Sequence, residues 1–335
     1  MDYEAFLTEW HDESPTLLVH TSGSTGKPKP MLVEKRRMEA SARITCRFLG
    51  LKAGDTALLC MPLDYIAGKM MVVRALTCGL QLLRVEPAGH PLSPSHCPSA
   101  TRIDLAAMVP LQVYNSLQVP AERERLRAVR HLLIGGGAVD EAMQAALRDF
   151  PHAVWSTYGM TETLSHIALR RLNGPAASQW YTPFDGVQVS LASDGCLVID
   201  APAVHDGPLA TNDMAELRAD GSFRILGRKD NVICSGGVKI QAEEVERLLR
   251  PHLSIPYLIT RVRDERLGQS VVLLMEQGSA TEVQAVCRRV LPKYWQPRHI
   301  LTIDRLPMTP TGKPARAEAE RMAADKIAGG AHPHG

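Results

Sequence analysis

His131-Leu-Leu-Ile-Gly-Gly-Gly-Ala138 and Ala153-Val-Trp-Ser-Thr-Tyr-Gly-Met-Thr-Glu-Thr163 each run from a short apolar strand into a loop of small and polar residues. Loops at the C-terminal ends of strands are where open α/β sheets place their ligands. Between the two lies a helical pattern, Asp140 to Phe150. Toward the N-terminus the alternation continues, with strands at Thr16 to His20, Thr56 to Cys60 and Leu80 to Val85. Helical patterns separate them at Lys35 to Leu49, Tyr65 to Thr77 and Pro120 to Val129. Repeated strand and helix predicts an α/β fold around a mainly parallel sheet with helices on its faces.

From Gly186 to Gly227 the pattern changes to closely spaced strands, broken by Asp194-Gly195 and Asp220-Gly221. Asp-Gly pairs are hairpin signals, so a β-rich subdomain is predicted here. After Gly227-Arg228-Lys229-Asp230 the order restarts with a short strand, a helix (Ala242 to Leu249), two strands (Tyr257 to Arg263, Ser270 to Glu276) and a helix (Thr281 to Val290). This predicts a large domain over 1–227 and a small mobile α+β domain over 228–335, hinged at Arg228 to Asn231. Beyond Ala317 the Ala- and charge-rich chain is expected to fray.

The 335 residues carry 38 Lys+Arg against 36 Asp+Glu, a formal charge of +2 without long basic blocks, which argues against a dedicated nucleic-acid binder. No apolar run reaches the roughly 18 residues of a membrane span. The acidic start Met1-Asp2-Tyr3-Glu4 lacks the pattern of a secretory signal, so a cytoplasmic protein is expected. Seven dispersed cysteines without a C-x-x-C pair read as small hydrophobes, and His96-Cys97 as loop residues instead of metal ligands.

The stretch His20-Thr-Ser-Gly-Ser-Thr-Gly-Lys-Pro-Lys29 follows a strand and combines Thr21, Ser22, Gly23, Ser24, Thr25, Gly26 and Lys27. Glycines let backbone N–H groups approach phosphate oxygens, hydroxyls donate hydrogen bonds and ammonium groups supply charge. It is not a Walker A loop, because only two residues separate Gly23 from Gly26 and Pro28 follows Lys27. Further motifs follow in order: Gly135-Gly136-Gly137-Ala138, Thr157 to Thr163, Thr211-Asn212-Asp213, Gly227 to Asp230 and Pro307 to Lys313.

Together these segments resemble the adenylate-forming superfamily of acyl-CoA synthetases, adenylation domains and luciferases. The resemblance implies that Thr21 to Lys29 holds the β- and γ-phosphates of ATP, that Gly135, Gly136, Gly137 and Ala138 frame the adenine with Tyr158, and that Gly159 and Met160 belong to the ATP/AMP-binding residues. It implies that Thr161 contacts the α-phosphate, Glu162 coordinates Mg²⁺, and Asp213 and Arg228 bind the ribose. Asp230 would be the pivot, Lys313 the catalytic lysine, and Gly236 and Gly237 would line the tunnel for coenzyme A. Taken alone, Thr163 reads as the cap of a following helix, Asp230 as a turn cap and Lys313 as a solvated charge.

Met61-Pro-Leu-Asp-Tyr-Ile-Ala-Gly-Lys69 with Arg74 is similar to a segment of the o-succinylbenzoate-CoA ligases of menaquinone biosynthesis. It differs at Asp64-Tyr65, where Phe-His is common, and at His166, where Gln is common. Such a substrate is a small aryl dicarboxylate whose second carboxylate must be neutralised, and Lys69, Arg74 and His166 are the candidate groups. Arg74 reads equally as a helix-surface charge or a structural ion-pair member. Two alternatives to this ligase stand: an adenylation enzyme loading another aryl or amino acid onto a carrier protein, and a non-catalytic nucleotide-binding relative. Only twenty residues precede Thr21, so the resemblance implies a reduced early N-terminal subdomain and a surface that is polar, rearranged or buried in a homodimer.

Overall fold

A computed structural model describes residues 1–20, 29–97, 102–309 and 313–330. The central sheet has seven strands, in spatial order Gln81–Arg84, Thr56–Leu59, Leu105–Met108, His131–Ile134, Ala153–Gly159, His166–Arg171 and Thr182–Pro183. The first five are parallel to their neighbours and the last two antiparallel, so the sheet is mainly parallel, as its alternating pattern predicts. Its central strands are buried on both faces, which is why they read as unbroken apolar runs.

Helix Lys35–Leu49 has the predicted bounds and ends at Gly50, whose φ of +63° closes the helix. Helix Ile66–Cys78 packs beside it. Helix Tyr3–His11 buries Phe6 and Trp10 in the same core, and Asp2 caps it by accepting from Ala5 N at 2.8 Å. Strand Thr16–His20 pairs antiparallel with Pro30–Glu34, burying Leu17 and Val19 while Leu18 is exposed. The glycine-rich segment from Thr21 to Lys27 falls between these strands and lies outside the described residues.

A four-stranded antiparallel sheet follows, ordered Gln188–Leu191, Cys196–Asp200, Leu209–Leu217 and Phe223–Arg228, with turns at the two Asp-Gly pairs. Lys229–Asn231 is a single 3₁₀ turn, after which strand Val232–Ser235 opens a five-stranded sheet with its own core around Ile259, Val271 and Leu273.

Two expectations are corrected. Thr163 caps no helix: it lies in a turn that leads into strand His166–Arg171. The chain beyond Ala317 is not frayed up to residue 330, since Arg316–Gly330 is a helix that seats Ala319 and Ala323, both fully buried, against Leu258 and Val272. Among the described residues, no helix is long and apolar enough to cross a membrane.

Candidate active site

Two loops meet at the C-terminal edge of the parallel sheet. Gly135 follows its strand, and a Cβ there would lie 2.5 Å from Thr157 Oγ1. The Gly135–Gly137 loop and the end of strand Ala153–Gly159 therefore lie in contact. That strand runs past its predicted end at Ser156 and carries Tyr158 to the sheet edge, with its ring among Tyr181 and Phe223.

The Tyr158 hydroxyl donates to Asp213 Oδ2 at 2.8 Å, and Arg228 Nη1 donates to Asp213 Oδ1 at 3.2 Å. Asp213 and Arg228 face each other across neighbouring strands, so the register of the β-rich sheet makes this pair. Burial raises the Tyr158 pKa and Asp213 raises it further, keeping the phenol a donor. Lys313 enters from the small domain and is half-buried. Burial and Arg228 lower its pKa, while Asp213 opposes them. The structure thus brings Tyr158 from the parallel sheet, Asp213 and Arg228 from the β-rich sheet and Lys313 from a small-domain loop together.

Gly159 begins a tight reversal. A Cβ at this residue would sit 2.2 Å from Ser165 O and 2.4 Å from His166 Cα, so only glycine lets the chain fold back. Met160, Thr161 and Glu162 form the outgoing arm, with Thr161 buried and Glu162 half-buried. The Thr163 hydroxyl lies 3.1 Å from both Met160 N and Met160 O, and 2.8 Å from Ser165 O. Leu164 has φ +64°, the one positive φ at a non-glycine residue among the described residues. Such a conformation costs about 1–3 kcal/mol and persists where surroundings over-determine it. Here the Thr163 hydroxyl and the bond from Leu164 N to Thr161 O at 2.9 Å do so.

Behind this turn, Arg74 Nη2 donates to Ser165 Oγ at 2.6 Å, and Ser165 Oγ lies 3.2 Å from His166 Nδ1. His166 Nε2 is 3.1 Å from Thr45 Oγ1, which donates to Ser41 O. One direction of donation, from Arg74 through Ser165, His166 and Thr45 to the Ser41 carbonyl, satisfies each hydroxyl and both ring nitrogens of a neutral imidazole. Burial, with Arg74 nearby, holds the His166 pKa well below its ordinary value. Arg74 is itself fully enclosed and its pKa is pushed down to about 10 by burial. Its Nε has no partner, and no carboxylate pairs with it among the described residues.

Lys69 does not join this group. Its ammonium turns to the N-terminal helix, 4.0 Å from Glu9 Oε2 and 5.3 Å from the Phe6 ring centroid. Gly236 and Gly237 form the two-residue hairpin turn between Ser235 and Val238. Asp230 Oδ2 accepts from Asn212 Nδ2 at 3.3 Å and from Arg228 Nη2 at 3.4 Å. Ala138 lies in the loop after Gly137 and precedes the helix capped by Asp140. Ser165, a commonplace residue in sequence, is the member that motif spacing did not reveal.

Among the described residues, no group of three or more His, Cys, Asp or Glu is arranged to hold a metal by itself. Mg²⁺ needs none, because it is commonly bound by one or two carboxylates and substrate phosphates. Glu162 at the tip of the turn is a hard oxygen donor of that type.

The α/β core, the β-rich sheet and the small domain that brings a lysine to Asp213 define a two-domain adenylate-forming fold. Residues 4–201 match the family model of AMP-binding enzymes, and 259–313 match that of the AMP-binding enzyme C-terminal domain. The chain belongs to the AMP-binding enzyme family, and by class it is an AMP-forming acid–CoA ligase. It is 33% identical to a solved acyl-CoA synthetase (AMP-forming)/AMP-acid ligase II-like protein from Dyadobacter fermentans, with TM-score 0.64, over 96% of this chain and 93% of that one. It is 26% identical to the 2-succinylbenzoate–CoA ligase of Bacillus mycoides, over 95% of this chain and 73% of that protein. The O-succinylbenzoate coenzyme A synthetase of Bacillus subtilis, solved with the acyl-adenylate OSB-AMP, shares the fold at TM-score 0.77 and 24% identity, over 90% of this chain and 68% of that one.

Proposed function

We propose that this chain joins a small aryl dicarboxylic acid, 2-succinylbenzoate, to coenzyme A by way of an acyl-adenylate. The observation that carries the choice of acid is Arg74. An uncompensated buried charge costs several kcal/mol, and pairing with a substrate carboxylate would offset that cost. Arg74 has an unpartnered Nε, and its bond to Ser165 fixes the guanidinium against the turn that bears Glu162. A monocarboxylic acid would leave that cation buried and unpaired. With Lys69 turned to Glu9, the proposed recognition group is Arg74 with Ser165, and His166 orients Ser165 as a neutral acceptor.

In the proposed first half-reaction a carboxylate oxygen of the acid attacks the α-phosphorus of ATP, and pyrophosphate leaves with the electron pair of the broken P–O bond. Both reactants are anions, so cations must neutralise and position them. Lys313 and Thr161 supply donors to the reacting oxygens, while Asp213, Arg228 and Tyr158 hold the ribose and adenine end. Glu162 would hold Mg²⁺, which supplies charge neutralisation at the phosphates. In the second half-reaction the thiol of coenzyme A, losing its proton, attacks the acyl carbon and AMP leaves. Rotation of the small domain, residues 228–335, about Asp230 would withdraw Lys313 and bring Gly236 and Gly237 to line the thiol path.

The test is a pyrophosphate-release screen over carboxylic acids with and without coenzyme A. The expected result is release dependent on 2-succinylbenzoate and a thioester only when coenzyme A is present. Release with an amino acid, and transfer only to a phosphopantetheinyl carrier protein, would overturn the reading.

A further inference from the structure

A small-domain side chain reaches back across the hinge. Gly227 has φ +153°, and a Cβ there would lie 2.3 Å from Gln241 Nε2 and 2.8 Å from Gln241 Cγ. Gln241, at the end of a small-domain strand, therefore lies flat across the bare Cα of Gly227 in the β-rich sheet. Its amide donates to the Arg228 carbonyl at 2.9 Å and to Glu243 Oε2 at 2.5 Å, which uses both amide hydrogens. Glu243 in turn accepts from Asn231 within the 3₁₀ turn.

A second small-domain side chain, Arg261, holds the hinge with a different reach. Arg261 Nη1 donates to the carbonyls of Asp230 at 3.2 Å and Val232 at 3.0 Å, both at or beyond the pivot, so it can travel with the small domain. Gln241 instead reaches back past the pivot to Arg228, the residue whose side chain holds Asp213 and lies near Lys313. Rotation about Asp230 must break the Gln241 bond and need not break those of Arg261.

We infer that Gln241, seated on Gly227, is a positioning residue for adenylate formation: it latches the small domain with Lys313 at the nucleotide site and must unseat before thioester formation. This rests on the two-step reading above.

The test compares two rates in Gln241→Met, which keeps the bulk over Gly227 and removes the donor. Acid-dependent ATP–pyrophosphate exchange is expected to fall between about twofold and tenfold, the weight of one hydrogen bond. Thioester formation from supplied acyl-adenylate and coenzyme A is expected to stay unchanged or rise. Gly227→Ala, which displaces Gln241 from its seat, is expected to split the two rates in the same direction. The double variant should lose no more exchange than the worse single one, because both act on one contact. Equal loss of both half-reactions in Gln241→Met, no change in either, or additive losses would overturn the latch. Absence of exchange from the unaltered enzyme with every acid overturns the two-step reading instead.

Discussion

Tyr158 and Asp213 are joined by a 2.8 Å hydrogen bond that ties the end of a parallel strand to the β-rich sheet. The bond leaves the carboxylate oriented between a phenol and the Arg228 guanidinium, with lone pairs to spare for vicinal hydroxyls. Tyr158→Phe is expected to raise the KM for ATP by about three- to tenfold and to leave that for the acid unchanged. Steady-state kinetics with each substrate varied in turn checks this. A rise confined to the acid would place Tyr158 elsewhere.

The turn from Gly159 to His166 carries both Glu162 and Ser165, the latter against Arg74, and so joins the two proposed subsites. Thr163 holds it through one buried hydroxyl. Thr163→Val leaves those backbone groups unpaired, at a cost of about 1–3 kcal/mol, and is expected to raise the KM for ATP and acid together. Thr163→Ser keeps the hydroxyl and should restore both. Failure of serine to rescue would mean that the methyl, not the hydroxyl, matters.

His166 makes the fold sensitive to acid. Its folded-state pKa is held well below the ordinary value near 6.5, so as pH falls through 6.5 the unfolded chain takes up a proton that the folded state refuses. Stability is then lost with falling pH, by up to about 1.4 kcal/mol per unit from this one group. His131, pushed down to about 4 by burial, adds a loss of the same sign. His166→Gln is expected to melt with a shallower decline between pH 7 and pH 5, part of the slope persisting through His131. An unchanged slope would show that His166 is solvated.

On the proposed mechanism, Lys313 acts in only one of the two half-reactions. Lys313→Ala is expected to lower ATP–pyrophosphate exchange about a hundredfold or more while sparing thioester formation from supplied acyl-adenylate. Since burial and Arg228 lower its pKa, the ammonium is lost at lower pH than an ordinary lysine. Exchange should therefore show an alkaline limb below pH 10.5, absent from the thioester step. Loss of both steps together would contradict domain alternation.

Much of this architecture is legible in residue patterns because the signals are local. The strand end at Ile134, the Asp-Gly turns and helix Lys35–Leu49 rest on periodicity and turn chemistry. Strand His166–Arg171 was hidden because it is buried almost throughout and carries two arginines, so it matches neither an alternating strand nor an apolar run. Helix Arg316–Gly330 was hidden because its stability comes from a small alanine face on the small-domain sheet, a tertiary contact that composition does not announce. Ser165 and Gln241 were hidden for a related reason: each is an ordinary polar residue whose role arises from a partner far away in sequence, Arg74 and Arg228. Lys69 and Arg74 lie on one helix, yet five residues apart they point to different neighbours, Glu9 and Ser165.

The central claim is that Arg74 selects a second carboxylate, and the most direct measurement is kcat/KM for pyrophosphate release with 2-succinylbenzoate and with benzoate, in the unaltered enzyme and in Arg74→Met. The methionine variant should fold, because removing an uncompensated buried charge does not by itself cost stability. The expected result is a preference for the dicarboxylate that falls by about a hundredfold in the variant, through loss of the dicarboxylate rate alone. A preference that survives the substitution, or an equal fall for both acids, would contradict it.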